Sequence, residues 1–194
     1  VKPNIVLITV DALRADHMGI YGYHRETTPE MDEHARKGTV FDHAYSQGTG
    51  TVSSMPSMFS SKYTYQLLYD DERKPQTISQ ENELLAEILA ANGYETAGVS
   101  SIRYTNKKRW GLLQGFETVD LDLTSPDPAY ETTSPQTLAK AIGHLDRFGQ
   151  KPFFLWVHFF DVHSSYVVHD ESPSWGESKL DLYDGEIRYT DKYI

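Results

Sequence analysis

Two apolar runs in this chain stop on side chains suited to metal or anion chemistry. The first, NIVLITV at 4–10, ends at Asp11; the second, PFFLWVHFF at 152–160, is followed by Asp161 and His163. In open parallel sheets, ligands bind beyond the carboxyl ends of the strands. A carboxylate placed there is a hard ligand for a divalent cation, and an imidazole can bind a metal or an anionic oxygen. Each residue also has a plainer role: Asp11 as the cap of a turn or helix start, Asp161 and His163 as parts of a solvated loop. His158, further back in the second run, reads as core or support. A third element, GTGTVSSMPSMFSSKY at 48–63, is rich in small hydroxyl residues and runs into a helix. A helix N-terminus offers unpaired N–H groups to anions, and a nearby metal can turn a hydroxyl into a nucleophile. Its plainer reading is a Ser/Thr-rich helix cap.

These residues need elements to hold them. The β-branched run 4–10 reads as a fully buried strand, parallel to its neighbours. TPEMDEHARK at 28–37 reads as a helix, with Thr28 as cap and Pro29 in the first turn. GTVFDHA at 38–44 reads as a short strand, and 54–61 as a helix start. QENELLAEILAAN at 80–92 is an amphipathic helix with Leu84, Leu85, Ile88 and Leu89 on one face and Gly93 as its stop. YETAGVS at 94–100 is a strand, 134–148 a capped helix, 152–160 a strand, and the C-terminal RYTDKYI part of a helix. Strands alternating with helices give the α/β class: a mainly parallel sheet flanked by helices. Polar stretches at 120–134 and 164–182 read as surface loops. The whole, residues 1–194, is expected to be a single domain.

Composition narrows the partners. The 194 residues are 39% hydrophobic and 24% charged, a globular mixture with a formal net charge of −10. An acidic chain whose densest basic run is Lys107-Lys108-Arg109 is not expected to bind nucleic acid. No apolar stretch is long enough to span a bilayer, so no membrane partner is expected. Without cysteine there is no disulfide, thiolate site or cysteine nucleophile, which is compatible with a reducing compartment.

The blocks PNIVLITVDALRADHMGIYGY, TVSSMPSMFSSKY, GYETAGV, GLLQGFE, PFFLWVHFFDVHSSY and YDGEIRYTD, in this order, resemble the sulfatase branch of the alkaline phosphatase superfamily. The resemblance implies an alkaline-phosphatase-like fold and a metal-dependent hydrolase of sulfate or phosphate esters. It implies a divalent cofactor (Ca, Mg, Mn or Zn) and a small anionic ester as substrate. Asp11 matches the family's first metal carboxylate; the second acid that many members carry is replaced by Ala12. Arg14 and Asp16, in the same block, are expected to form an ion pair or anchor a turn.

Counting back from Tyr63 places the family's nucleophile, which also neighbours the metal, at Thr51. A rival register reads Ser54-Met-Pro-Ser57 as the formylglycine signature, with Met58 where the family has arginine. That would make Ser54 the reacting or substrate-contacting residue. His163 matches the family's histidine that contacts the ester or the leaving group. The histidine block that follows the GYETAGV strand in the family is missing here. The family's remaining ligands fall in a block beyond YDGEIRYTD, so the chain is expected to be the front portion of such a domain. An exposed sheet edge that invites self-association is then expected too. Two other functions stay open: a catalytically silent sulfatase-like binding or assembly module, and a phospho-headgroup transferase working through Thr51.

Overall fold

The computed structural model describes residues 2–70, 77–102, 110–121, 123, 132–163 and 165–194. The loop 120–134 lies largely outside them, and Lys107, Lys108 and Arg109 do so entirely. The apolar runs form strands: β1 (Ile5–Val10), β2 (Glu95–Ser100) and β4 (Phe153–Phe159), joined by a short β3 (Thr118–Asp120). They make a mainly parallel sheet in the order β1-β4-β2-β3. β3 pairs in parallel with β2, Ala97 opposite Thr118 and Val99 opposite Asp120. The helices are α1 (Pro29–Ala35), α2 (Thr51–Ser60), α3 (Leu85–Ala91), α4 (Ser134–Arg147) and α5 (Lys179–Asp191). The α/β class expected from the sequence is the one observed.

Four details differ from the sequence expectation. β1 is not buried on both faces: it lies at the sheet edge, and its burial alternates, with Val6 49% and Ile8 42% exposed. Uniform apolarity in a strand signals β-propensity as much as double burial. Residues 38–44 form no strand, and Phe41 is exposed there; the β-rich types find no ladder to join. The helix expected over 80–92 begins only at Leu85, because Asn82 is occupied in bonding the backbone of Leu68 and Ser79. Ile88, assigned to its apolar face, is 40% exposed, while Ala86 is buried. α2 begins at Thr51, three residues earlier than the expected 54.

The chain divides into two compact units. One comprises Val1–Ile8, Tyr45–Asp122 and Lys140–Val157; the other Thr9–Ala44, Leu123–Ala139 and His158–Ile194. The core of the first is aromatic and aliphatic: Met55 and Phe59 of α2, Leu84, Trp110, Leu112, and Phe154 and Trp156 of β4. Phe59 meets Trp156 edge-on at 5.1 Å, and Phe116 stacks on Phe154 at 5.6 Å, distances typical of favourable ring pairs.

The second unit has a smaller apolar cluster, Val162, Tyr183 and Ile187, with Val10, Leu13 and Tyr166 against it. It is held instead by polar side chains of α5. Buried Asp184 accepts from Tyr23 Oη at 2.7 Å and Arg25 Nη1 at 2.7 Å, and lies 2.6 Å from His17 Nδ1. Asp191 accepts the backbone N–H groups of Glu30 and Met31 at 2.9 Å each. It thereby caps α1, a task the sequence assigns to Thr28. Thr28 instead donates to Asp32 at 2.9 Å and accepts from Gly19 N at 3.0 Å. A buried carboxylate is tolerated when hydrogen bonds saturate it, and α5 uses its acids in this way.

Candidate active site

Asp11 closes β1. Its backbone N–H still bonds to Phe159 O at 2.9 Å, so the last rung of the β1–β4 ladder fixes where the carboxylate leaves the sheet. The chain then turns through Ala12, whose φ of +56° lies in the left-handed region that side chains disfavour. Tyr183 holds it there. Its hydroxyl donates to Ala12 O at 2.8 Å and accepts from Arg14 N at 3.0 Å. Burial pushes the Tyr183 phenol up to about 12, so it keeps the proton that the bond to Ala12 needs. Two of the family-like blocks, DALRAD and YDGEIRYTD, are thus joined through one phenol.

Behind the carboxylate stands His158, almost fully buried. Its Nδ1 lies 2.7 Å from Thr9 Oγ1, and its Nε2 faces Asp11 Oδ2 at 3.5 Å. Burial holds the imidazole below its ordinary value, and the opposing pull of Asp11 is smaller. A neutral ring accepting from Thr9 through Nδ1 turns Nε2–H towards Asp11 Oδ2, a polar contact longer than an ordinary hydrogen bond. His158 therefore sits behind Asp11 and steadies it.

The acids and histidine after β4 part company. Asp161 is buried, and its two oxygens accept from Thr133 N at 2.7 and 2.9 Å, Thr133 Oγ1 at 2.8 Å and Ser134 N at 2.7 Å. It caps the start of α4 and has little capacity left for a ligand. His163 is exposed, stacks on Phe160 at 4.6 Å, and borders a cleft of ≈ 10 Å³. That is room for about one water, so any ester it contacts lies outside this cleft. Arg14 and Asp16 form an exposed two-pronged ion pair at 2.9 and 2.6 Å.

Thr51 and Ser54 lie in the other unit, in the first turn of α2. Thr51 is the first helical residue, after Gly50. The Ser54 hydroxyl donates back to Gly50 O at 3.1 Å, and that of Ser53 does so at 2.9 Å. The residues that sequence reasoning passed over are Thr9 and Tyr183. Each is polar, points at the Asp11 turn or its support, and lies far along the chain from its partner; no local pattern marks such a pair.

A hard dication takes about six or more oxygen ligands. Among the described residues no group of three or more acidic, histidine or cysteine side chains could hold a metal ion. Asp11 alone of the residues assigned to a metal is a carboxylate, so the described donors do not by themselves make up such a set. No described helix is long and apolar enough to cross a membrane.

The Sulfatase family profile matches residues 3–194. An arylsulfatase of Clostridium perfringens is 31% identical over 123 residues, which are 62% of this chain and 24% of that protein. The structure described as Ps i-CgsB in complex with k-i-k-neocarrahexaose superposes with a TM-score of 0.76 at 18% identity, covering 100% of this chain and 53% of that one. The soluble domain of lipooligosaccharide phosphoethanolamine transferase A from Neisseria meningitidis gives 0.74 at 22% identity, over 99% of this chain and 60% of that one. The chain thus spans about a quarter of the arylsulfatase's length. With the profile running nearly end to end, the chain belongs to the sulfatase family.

Proposed function

We propose that the protein hydrolyses sulfate or phosphate esters, with Thr51 as nucleophile. The observation that supports this best is the turn at Asp11: a carboxylate leaving the last rung of a strand, backed by neutral His158 and locked by Tyr183, in a chain of the sulfatase family. In this reading the Thr51 hydroxyl attacks sulfur or phosphorus and gives its proton to solvent, the bond from that atom to the alcohol oxygen breaks, and the departing oxygen takes up a proton from solvent. Water then cleaves the Thr51 ester and releases the inorganic anion. Thr51 is favoured over Ser54 by the register of the family resemblance, counted back from Tyr63. Thr51 also stands at the first position of α2, where unpaired N–H groups and the helix dipole favour an anionic oxygen. His163, exposed after β4, is the residue assigned to the ester or its leaving group.

The cofactor is proposed to be a divalent cation, which would supply Lewis acidity towards the ester and the nucleophile. Asp11 is the residue of this chain that would hold it. The family match crosses both units, which supports reading residues 1–194 as parts of one catalytic domain.

The test is turnover of p-nitrophenyl sulfate and p-nitrophenyl phosphate by the full protein, with and without Mn²⁺, Ca²⁺ or Zn²⁺. Thr51→Ala is expected to abolish it and Ser54→Ala to leave most of it; the reverse pattern refutes the assignment. A second reading, headgroup transfer from the Thr51 ester to an alcohol, draws on the same hydroxyl. Product that forms only when an alcohol acceptor is added would select it.

A further inference from the structure

Residues 165–172 follow His163 closely and run beside α5, within one compact unit. Their fastenings climb one face of that helix. Tyr166 packs on Tyr183 at 5.4 Å, Val167 N donates to Glu186 Oε1 at 2.7 Å, the His169 ring stacks on Tyr189 at 3.7 Å, and Glu171 pairs with Lys192. The stretch has little apolar burial of its own to hold it: Val168 is 67% exposed, and no residue from 165 to 178 belongs to the buried core. Its position therefore depends on polar contacts. The central one is Glu186, whose second oxygen, Oε2, lies 2.8 Å from His169 Nε2. One buried carboxyl thus grips the residues on both sides of Val168 and leaves that side chain facing outward. Glu186 and His169 are both nearly closed off from water.

This grip depends on how many protons the pair carries. With Glu186 ionised, both of its oxygens accept: one from Val167 N–H, the other from the imidazole Nε2–H. With Glu186 protonated and the ring neutral, the acid O–H at Oε2 donates to a bare Nε2, and both contacts survive. With both groups protonated, neither arrangement is possible. The acid proton must sit on one of the two oxygens, and each oxygen then faces an N–H of residues 165–172.

We infer that residues 165–172 form an acid-released strap, latched to α5 by the Glu186–His169 pair while either group lacks its extra proton and detached when both carry it. Burial holds the Glu186 carboxyl above its ordinary 4.5, so the acid half of the release is set above the usual range for glutamate. Asp161, at the end of β4, adds to that shift. Beside His169, Glu171 and Lys192 offset each other. Tyr189 offers the ring its face, with its phenol pushed up by burial, and Tyr193 stands edge-on behind it. His163 borders the same small cleft as Glu186. Release frees the chain on the C-terminal side of His163, whose own N–H stays tied to Phe160 O at 2.9 Å. An effect on turnover rests on the role proposed for His163; the latch rests on the contacts of the strap alone.

The experiment is amide hydrogen exchange read by NMR on the full protein, from about pH 7 to about pH 4, the span in which histidine and glutamate side chains ordinarily titrate. Rates are corrected for the intrinsic effect of pH. Carbon-13 shifts of the Glu186 carboxyl and the His169 ring report the two protons. Protection of Val167 N–H is expected to fall about tenfold, as for one hydrogen bond lost, at the step that leaves both groups protonated, while Ile187 N–H in the middle of α5 keeps its protection. His169→Phe keeps a ring against Tyr189 but cannot bond Glu186, and should show weakened protection at Val167 N–H with no acid step. Constant protection of the wild type, a loss that follows one proton alone, a simultaneous loss at Ile187, or an acid step of full size in His169→Phe overturns the latch. No ester enters this assay, so a latch that behaves as expected in a protein without turnover leaves the strap standing and removes the hydrolase reading.

Discussion

Asp161→Ala decides whether the acid after β4 serves structure or chemistry. The carboxylate takes four short contacts from three donors: two backbone N–H groups and the Thr133 hydroxyl. The hydroxyl can rotate to another acceptor, so the loss falls on the two N–H groups. A buried donor left unpaired costs about 1–3 kcal/mol, and losing a helix cap about 0.5–2 kcal/mol. The cleft beside Asp161 has room for about one water, which would recover one donor. The expected loss is then about 3 kcal/mol, a large share of a stability of about 5–15 kcal/mol. Asp161→Asn keeps one acceptor oxygen but turns its amide towards N–H donors, and is expected to lose about 2 kcal/mol. Urea denaturation followed by circular dichroism measures both. A loss below about 1 kcal/mol for the alanine variant, or intact stability with abolished turnover, would refute the capping role and return Asp161 to the active site.

Tyr183→Phe keeps the ring and removes both bonds to the turn. It should lower stability by about 1–2 kcal/mol and loosen Ala12 from its left-handed conformation. Hydrogen exchange should then quicken at Arg14 N before it does so in the sheet, and equal protection in the variant would refute the role of the phenol. Glu186→Gln tests the interior of the second unit. Burial holds the Glu186 carboxyl above its ordinary 4.5, and outweighs the pull of His169, 2.8 Å away. Between about 4.5 and that raised value the folded state keeps a proton that the unfolded state has released. Stability therefore falls as pH rises through this window. Thermal melts across it should show a flatter profile for Glu186→Gln, and an unchanged slope would refute the assignment.

Runs of one residue character proved readable in the sequence. PFFLWVHFF became β4 because a strand in the middle of a sheet is mostly apolar, whereas YETAGVS became β2 with Thr96 and Ser100 buried beside Ala97 and Val99. NIVLITV became β1 for its β-propensity, but its place at the edge is a property of the sheet and leaves no mark on the run itself. β3 is three residues, TVD, too short for any period, and is a strand only because β2 offers it a ladder. Asp11 and Asp161 look alike in sequence, each an acid at the end of an apolar strand. They differ because Thr133 and Ser134 reach one and Tyr183 and His158 frame the other, and neither set of partners is near in the chain. The acids of α5 look like a solvated face for the same reason: Asp184, Glu186 and Asp191 are buried by partners that the helix itself does not contain.

That dependence on α5 has a kinetic side. Asp184 meets His17 across a sequence separation of 167 residues, Asp191 meets Glu30 across 161, and Tyr183 meets Ala12 across 171. Closing such long loops slows folding, because the entropy is lost before the contacts form. On the ribosome, the segment from Asp11 to Met31 is made before α5 and must wait for that helix before these partners arrive. The Asp11 turn is expected to acquire its final form only once α5 has been made, and truncation at any point before α5 to yield a chain whose first carboxylate has no fixed direction.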